Sequence, residues 1–177
     1  DPLVSDLFFC GGVETAILQV SNTSENNDSY FWYDSQDATS EIGTGNSLEV
    51  NNIQVTTSYW VEARNGDCVS ERIEAVVNIL ALPTEPQVAD RALCGPGQAT
   101  FEVLIQDDES NIVYQWFTSP VAQEPIETGD SYTTGKIDTE TIFYVKAVRV
   151  TANDEITCES DFTEVKVTIL DAGEVGI

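Results

Sequence analysis

The sequence predicts an all-β protein built as two tandem antiparallel β-sandwiches. Three observations carry this: the chain is written twice, its apolar residues alternate with a period of two, and turn residues separate the alternating runs. At an offset of 84 positions, Pro2, Val4, Asp6, Cys10 and Gly11 fall on Pro86, Val88, Asp90, Cys94 and Gly95, and Tyr30 and Trp32 fall on Tyr114 and Trp116. The match continues from Thr44, Gly45 and Ser47 onto Thr128, Gly129 and Ser131, and from Val61 and Ala63 onto Val145 and Ala147. Near the end the offset becomes 90, pairing Cys68, Ser70, Val77 and Ile79 with Cys158, Ser160, Val167 and Ile169. A period this long marks whole domains rather than solenoid repeats that cannot stand alone. The expected modules are 1–82 and 83–177, each long enough to close its own core.

Within the first copy, Tyr30 and Trp32 share one strand face, as do Tyr59, Val61 and Ala63, and Ala75, Val77 and Ile79. The second copy repeats the phasing with Tyr114 and Trp116, with Phe143, Val145 and Ala147, and with Val165, Val167 and Ile169. Retaining the inward residues while their neighbours drift is what one buried sheet face requires. Turns are expected at Ser24 to Asp28, at Gly43 to Asn46 and at Asn65-Gly66, the last a strong two-residue hairpin signal. Each copy reads as about seven short strands, with no amphipathic helix. The joint, Ala81-Leu82-Pro83-Thr84-Glu85-Pro86, holds two prolines that stiffen it and block pairing within a sheet. Asp1-Pro2 aligns with Glu85-Pro86, so the chain reads as an internal excerpt of a longer tandem array.

Composition narrows the function. The 31 acidic residues against 7 basic ones give a net charge of -24, which opposes binding to nucleic acid and to anionic membranes. The same acidity suits a solvated surface or an affinity for cations. Histidine is absent, removing the commonest general base and metal ligand, and the three lysines lie in no recognisable nucleophile motif. No run of 18 apolar residues or signal-peptide layout is present.

Four cysteines allow three connectivities. One pair per copy favours Cys10 with Cys68 and Cys94 with Cys158, and disulfides place a protein outside the cytosol. Loops of this length would stabilise each module by about 4 kcal/mol. Free buried thiols are the alternative; zinc is disfavoured by the lack of histidine and of any Cys-x-x-Cys pair. One difficulty stands against the pairing: in a simple sandwich Cys10 and Cys68 belong at opposite ends.

The order Cys-Gly, alternating strand, Tyr-x-Trp, Thr-Gly-x-Ser, Thr-x-Tyr/Phe-x-Val-x-Ala, hairpin, Cys-x-Ser and final Val-x-Ile-Leu strand resembles a bacterial immunoglobulin-like module. It is similar to repeats of large secreted and cell-surface proteins of the Bacteroidota, including gliding-motility adhesins. That resemblance implies an immunoglobulin-like sandwich, export by the type IX route, and an extracellular, outer-membrane-associated spacer or adhesive segment. The chain departs from antibody domains: Cys10 lies 22 positions before Trp32, too far for the antibody inter-sheet disulfide. The tyrosine corner that Tyr59 could form has no counterpart at Phe143.

No catalytic residue is assigned, because no carboxylate pair recurs in a setting that suggests a shifted pKa. The candidate calcium ligands are Asp107, Asp108 and Glu109, with Glu25, Asn26, Asn27 and Asp28 in the corresponding loop, since clustered loop oxygens suit Ca2+. Glu85 and Asp90 are the acidic residues available for a junctional calcium site. Phe31, Tyr33, Trp60, Phe117 and Tyr144 alternate with the inward set, and outward aromatics can stack on sugars; Trp60, Tyr33 and Tyr144 are the ligand candidates. The added segment Val150-Thr151-Ala152-Asn153-Asp154-Glu155 most distinguishes the two copies.

The expected function is therefore a non-catalytic extracellular repeat segment of a large bacterial surface adhesin, serving spacing, presentation, adhesion or gliding motility. The alternative is an accessory carbohydrate-binding module pair of a secreted enzyme. Expected partners are adjacent Ig-like modules of the same chain, surface polysaccharide or another cell-surface protein, without nucleic acid or membrane insertion.

Overall fold

A computed structural model describes residues 1–21, 29–105, 111–150 and 157–170. The chain divides into two units, Asp1–Ala81 and Leu82–Ile177, and every regular element among the described residues is a β-strand. In the first unit the strands are β1 (Leu7–Cys10), β2 (Val13–Gln19), β3 (Ser29–Tyr33), β4 (Gly43–Thr44), β5 (Ser47–Ile53), β6 (Thr57–Asn65), β7 (Cys68–Val69) and β8 (Ile73–Leu80). One sheet runs β1-β8-β6-β3-β4, with β7 paired to the end of β6, and the other is β2-β5. A bridge between Val4 and Val20 attaches the start of the chain to β2.

The second unit repeats the plan with β9 (Gln87–Val88), β10 (Arg91–Leu93), β11 (Thr100–Ile105), β12 (Ile112–Phe117), β13 (Glu127–Thr128), β14 (Ser131–Thr133), β15 (Thr141–Val150), β16 (Thr157–Glu159) and β17 (Thr163–Ile169). Its sheets are β10-β17-β15-β12-β13, with β16 on β15, and β14-β11-β9.

The inward sets read from the sequence build both cores. Tyr30, Trp32, Tyr59, Val61, Ala75 and Val77 pack against Ala16, Leu18, Leu48 and Val50 of the facing sheet. In the second unit Tyr114, Trp116, Phe143, Val145, Ala147, Val165 and Val167 meet Ala99, Phe101 and Val103. The hairpin also forms, with Asn65 paired to Cys68 across Gly66-Asp67 and Gly66 at φ 57°.

The first strand departs from the simple antiparallel expectation. It touches one sheet at Val4, then crosses to the other, where β1 runs parallel to β8 with Leu7 opposite Val77 and Cys10 opposite Leu80. The second unit does the same, with Arg91 opposite Val167 and Leu93 opposite Ile169. The repeated aspartate sits at this crossing: Asp6 Oδ1 accepts the Val76 N–H at 2.9 Å, and Asp90 Oδ1 accepts the Lys166 N–H at 2.8 Å. Both carboxylates satisfy an amide just ahead of the first parallel pair, so the motif is structural. Asp90→Ala is expected to destabilise the second unit by about 1 kcal/mol. Asp90→Asn, which keeps an acceptor, should cost less, and thermal unfolding of the two variants tests the ordering.

Two further repeated motifs have local explanations. The Trp32 indole Nε1–H donates to the Gly45 carbonyl at 2.9 Å, and Trp116 donates to Gly129 at the same distance. Gly45 and Gly129 have φ of 106° and 129°, a region that favours glycine, which explains why Thr-Gly-x-Ser travels with Tyr-x-Trp. Ser70 Oγ accepts the Ala63 N–H and donates to the Glu71 carbonyl, and Ser160 repeats both bonds with Ala147 and Asp161. The serine of Cys-x-Ser therefore bridges the break after the short hairpin strand.

Candidate functional site

The six-stranded sheet of each unit has an outer face pointing away from the core, and there the two copies carry different side chains. In the first unit that face carries Phe31 and Tyr33 on β3, Trp60, Glu62 and Arg64 on β6, and Arg72 just before β8. Antiparallel register sets Tyr33 opposite Trp60 and Phe31 opposite Glu62. Glu62 is buried, 6% exposed, and one of its oxygens accepts from Arg64 Nε at 2.8 Å and from the Tyr33 hydroxyl at 3.0 Å. Arg72 Nε donates to the other oxygen at 2.9 Å.

Arg72 also closes the neighbouring loop, donating through Nη1 to the carbonyls of Gln36 at 2.6 Å and Ala38 at 2.8 Å. Its guanidinium lies 3.4 Å from the Tyr33 ring centroid, and that of Arg64 lies 4.0 Å from the Phe31 centroid. Such contacts contribute about 0.5–2 kcal/mol each, more where water is excluded.

These contacts set the electrostatics. Burial alone would push the Glu62 carboxyl up, but hydrogen bonds from Arg72, Arg64 and Tyr33 outweigh it and hold the group below its ordinary value. Burial, then the bond to Glu62, pushes the Tyr33 phenol up. Glu62 is thus a saturated, ionised anchor for two arginines, unlike the raised-pKa carboxyl that general acid catalysis uses.

In the second unit the same face is built differently. Phe117 replaces Tyr33, Lys146 replaces Glu62, and Phe162 replaces Arg72. Phe162 packs edge-on against Phe117 at 5.4 Å and against Tyr144 at 6.1 Å between centroids. The Lys146 ammonium sits 5.2 Å from the Phe117 centroid and 5.4 Å from that of Phe162, and pairs with Glu159 at 2.6 Å. An ion cluster in one copy and an aromatic cluster in the other seal the same position.

The ligand candidates fall on this face, where Trp60 and Tyr144 are half-buried. Tyr33 differs from the sequence expectation: it is 1% exposed, because Arg72 lies over its ring. Phe117 is covered too, at 2%. The calcium candidates Asp107, Asp108 and Glu109 lie outside the described residues, as do Glu25, Asn26, Asn27, Asp28 and the segment 151–156. Asp90 is the strand-crossing cap described above.

The cysteines require a correction. Cys68 and Cys94 are free and exposed, whereas Cys10 and Cys158 are disulfide-bonded. Neither expected within-module bridge, Cys10 to Cys68 or Cys94 to Cys158, is formed. Strand register gives the reason. Cys68 pairs with Asn65 at one end of β6, while Thr57 at its other end lies level with Val77 and Leu7, and Cys10 lies three residues further on. The length of β6 alone is about 26 Å at strand rise, far beyond the Cα separation of about 4.4–6.8 Å that a disulfide spans. The second unit repeats the geometry, with Cys158 opposite Arg149 at one end of β15, and Thr141 and Arg91 both level with Val167 at the other.

Two sandwiches with split first strands and Trp–Gly clasps define the class: a tandem pair of immunoglobulin-like modules. The chain belongs to the family described as Ig-like domain CHU_C associated, whose model matches residues 2–80 and again 83–170. No curated protein matches the sequence. Among solved structures, the chain is similar to the fibronectin(III)-like modules of CbhA from Clostridium thermocellum. These are 14% identical, with 100% of this chain and 96% of that chain covered and a TM-score of 0.52. It is also similar to a chain in the crystal structure of mouse coronavirus receptor-binding domain complexed with its murine receptor. That chain is 13% identical, with 96% of this chain and 100% of that chain covered and a TM-score of 0.53. At such identities the likeness establishes the fold alone.

Proposed function

We propose that the chain is a non-catalytic, extracellular segment of a large bacterial surface protein, in which Ig-like modules space and present adhesive regions. The observation that supports this most is where the repeated residues are used. Asp6 and Asp90 cap the strand crossing, Trp32 and Trp116 clasp Gly45 and Gly129, and Ser70 and Ser160 bridge the hairpin break. Repetition has kept what builds a module, and on the outer faces, where the copies diverge, Tyr33 and Phe117 are covered by neighbouring side chains. The acidity, with a net charge of -24, suits modules held at high local density without self-association. Adhesion in gliding motility and export by the type IX route are the finer form of this reading, and the acidic loops leave room for calcium in it.

Binding to a panel of surface polysaccharides, with and without Ca2+, tests the proposal. The spacer reading expects no saturable binding in either condition. Saturable binding lost in Trp60→Ala would replace it with the carbohydrate-binding alternative.

A further inference from the structure

Each module holds its two cysteines at opposite poles, and these are the poles where the chain enters and leaves it. At the exit of the first module Cys10 lies opposite Leu80, and the Gly11 N–H donates to the Leu80 carbonyl at 2.8 Å. At the exit of the second, the Leu170 N–H donates to the carbonyl of Leu93, the residue before Cys94, also at 2.8 Å. At the entry of the first module Asp1 lines one shallow cleft with Asn65, Cys68, Val69 and Ser70. At the entry of the second, the Thr163 hydroxyl donates to the Pro86 carbonyl, and Cys158 occupies the hairpin strand that corresponds to Cys68. Cys10 and Cys94 are thus exit cysteines, and Cys68 and Cys158 are entry cysteines.

The two kinds are divided evenly by redox state. The disulfide-bonded cysteines are one of each, Cys10 and Cys158; the free ones are also one of each, Cys68 and Cys94. Every position that is free in one copy is oxidised in the other, so both kinds of site accept a disulfide within this fold. Both free thiols are exposed.

We propose that Cys68 and Cys94 are linkage thiols, each forming a disulfide with the complementary cysteine, exit with entry, of a further module of this kind. The inference rests on the array reading for its setting, while its chemistry is complete in the purified chain. The oxidant is a small-molecule disulfide. A Cys94 thiolate displaces one half of it as a thiol, giving a mixed disulfide; a Cys68 thiolate of another copy then displaces the second half. Two thiols thus lose two protons and two electrons, and the oxidant leaves as two thiols. Because the bond joins unlike sites, it is heterologous and propagates instead of closing a symmetric pair.

The full chain, held in a mixture of small-molecule disulfide and thiol, is expected to give a ladder of covalent oligomers on non-reducing gels. Mass spectrometry of their peptides should find Cys68 joined to Cys94. Cys68→Ser and Cys94→Ser each remove only a free exposed thiol, so both should fold and both should lose the ladder. Mixing the two variants should restore a single covalent heterodimer. Chains that stop at the mixed disulfide, or like-with-like dimers as abundant as the Cys68–Cys94 product, would overturn the proposal. Neither result bears on polysaccharide binding, so this inference and the spacer reading fail separately.

Discussion

Trp32→Ala is expected to destabilise the first module by about 3–5 kcal/mol, the range for emptying a large aromatic site in a packed core. The side chain is fully buried, and its indole N–H meets the Gly45 carbonyl. Trp32→Phe fills most of the space but loses the donor, and should cost about 1–3 kcal/mol. Small domains have about 5–15 kcal/mol in total, so the alanine variant would leave the module near its unfolding limit. Hydrogen exchange followed by peptide mass spectrometry reads the outcome: exchange should accelerate across residues 1–81 while the Trp116 core keeps its protection. Equal loss of protection in both units would show that the modules fold as one cooperative body.

Glu62→Ala should cost about 1.5–3 kcal/mol, the range for hydrogen bonds to a charged group, because Arg64 and Arg72, 36% and 19% exposed, lose their shared acceptor but stay within reach of water. It should also release the loop that Arg72 ties at Gln36 and Ala38. The ion cluster makes stability depend on pH with a definite sign. The folded-state pKa of Glu62 lies below its ordinary value of 4.5, so its contribution is complete above 4.5 and declines as pH falls through the lowered value. Glu62→Gln should flatten that acid limb. In the second module Lys146 occupies the position of Glu62, so that module lacks this carboxylate and its contribution to the acid limb. Denaturant midpoints across the acid range, resolved by module through hydrogen exchange, check both statements. An unchanged acid limb in Glu62→Gln would remove Glu62 from the account.

The inward residues were legible because a buried sheet face writes itself into sequence with a period of two. Tyr30, Trp32, Val61 and Val77 and their counterparts needed no knowledge of strand order. The outer cluster was not legible. It depends on register bringing Tyr33 beside β6 and on a turn returning Arg72 to the same face, and neither leaves a periodic mark. Its one sequence signal is that Arg64 and Arg72, two of only seven basic residues, flank the hairpin that follows Glu62. The cysteine pairing failed because counting one pair per repeat ignores strand direction. The conflict noted in the sequence, with Cys10 and Cys68 at opposite ends, was the correct physical hint. The parallel pairing of β1 was also hidden, since its partner lies some 70 residues away along the chain.

That parallel pairing has a mechanical consequence. The first and last long strands of the module, β1 and β8, are hydrogen-bonded neighbours pointing the same way. Tension applied to the two ends of the module therefore drags them in opposite directions along their length, loading the ladder from Leu7 to Cys10 in shear, all bonds together. An antiparallel terminal hairpin would instead peel one bond at a time. A module loaded at its two ends gains resistance from this arrangement without extra stability at rest. In single-molecule stretching, Phe9→Pro, which deletes the β1 amide that faces β8 two residues before the Gly11 N–H bonded to the Leu80 carbonyl, should lower the unfolding force of the first module far more than Phe8→Pro, whose amide faces the open edge of the sheet.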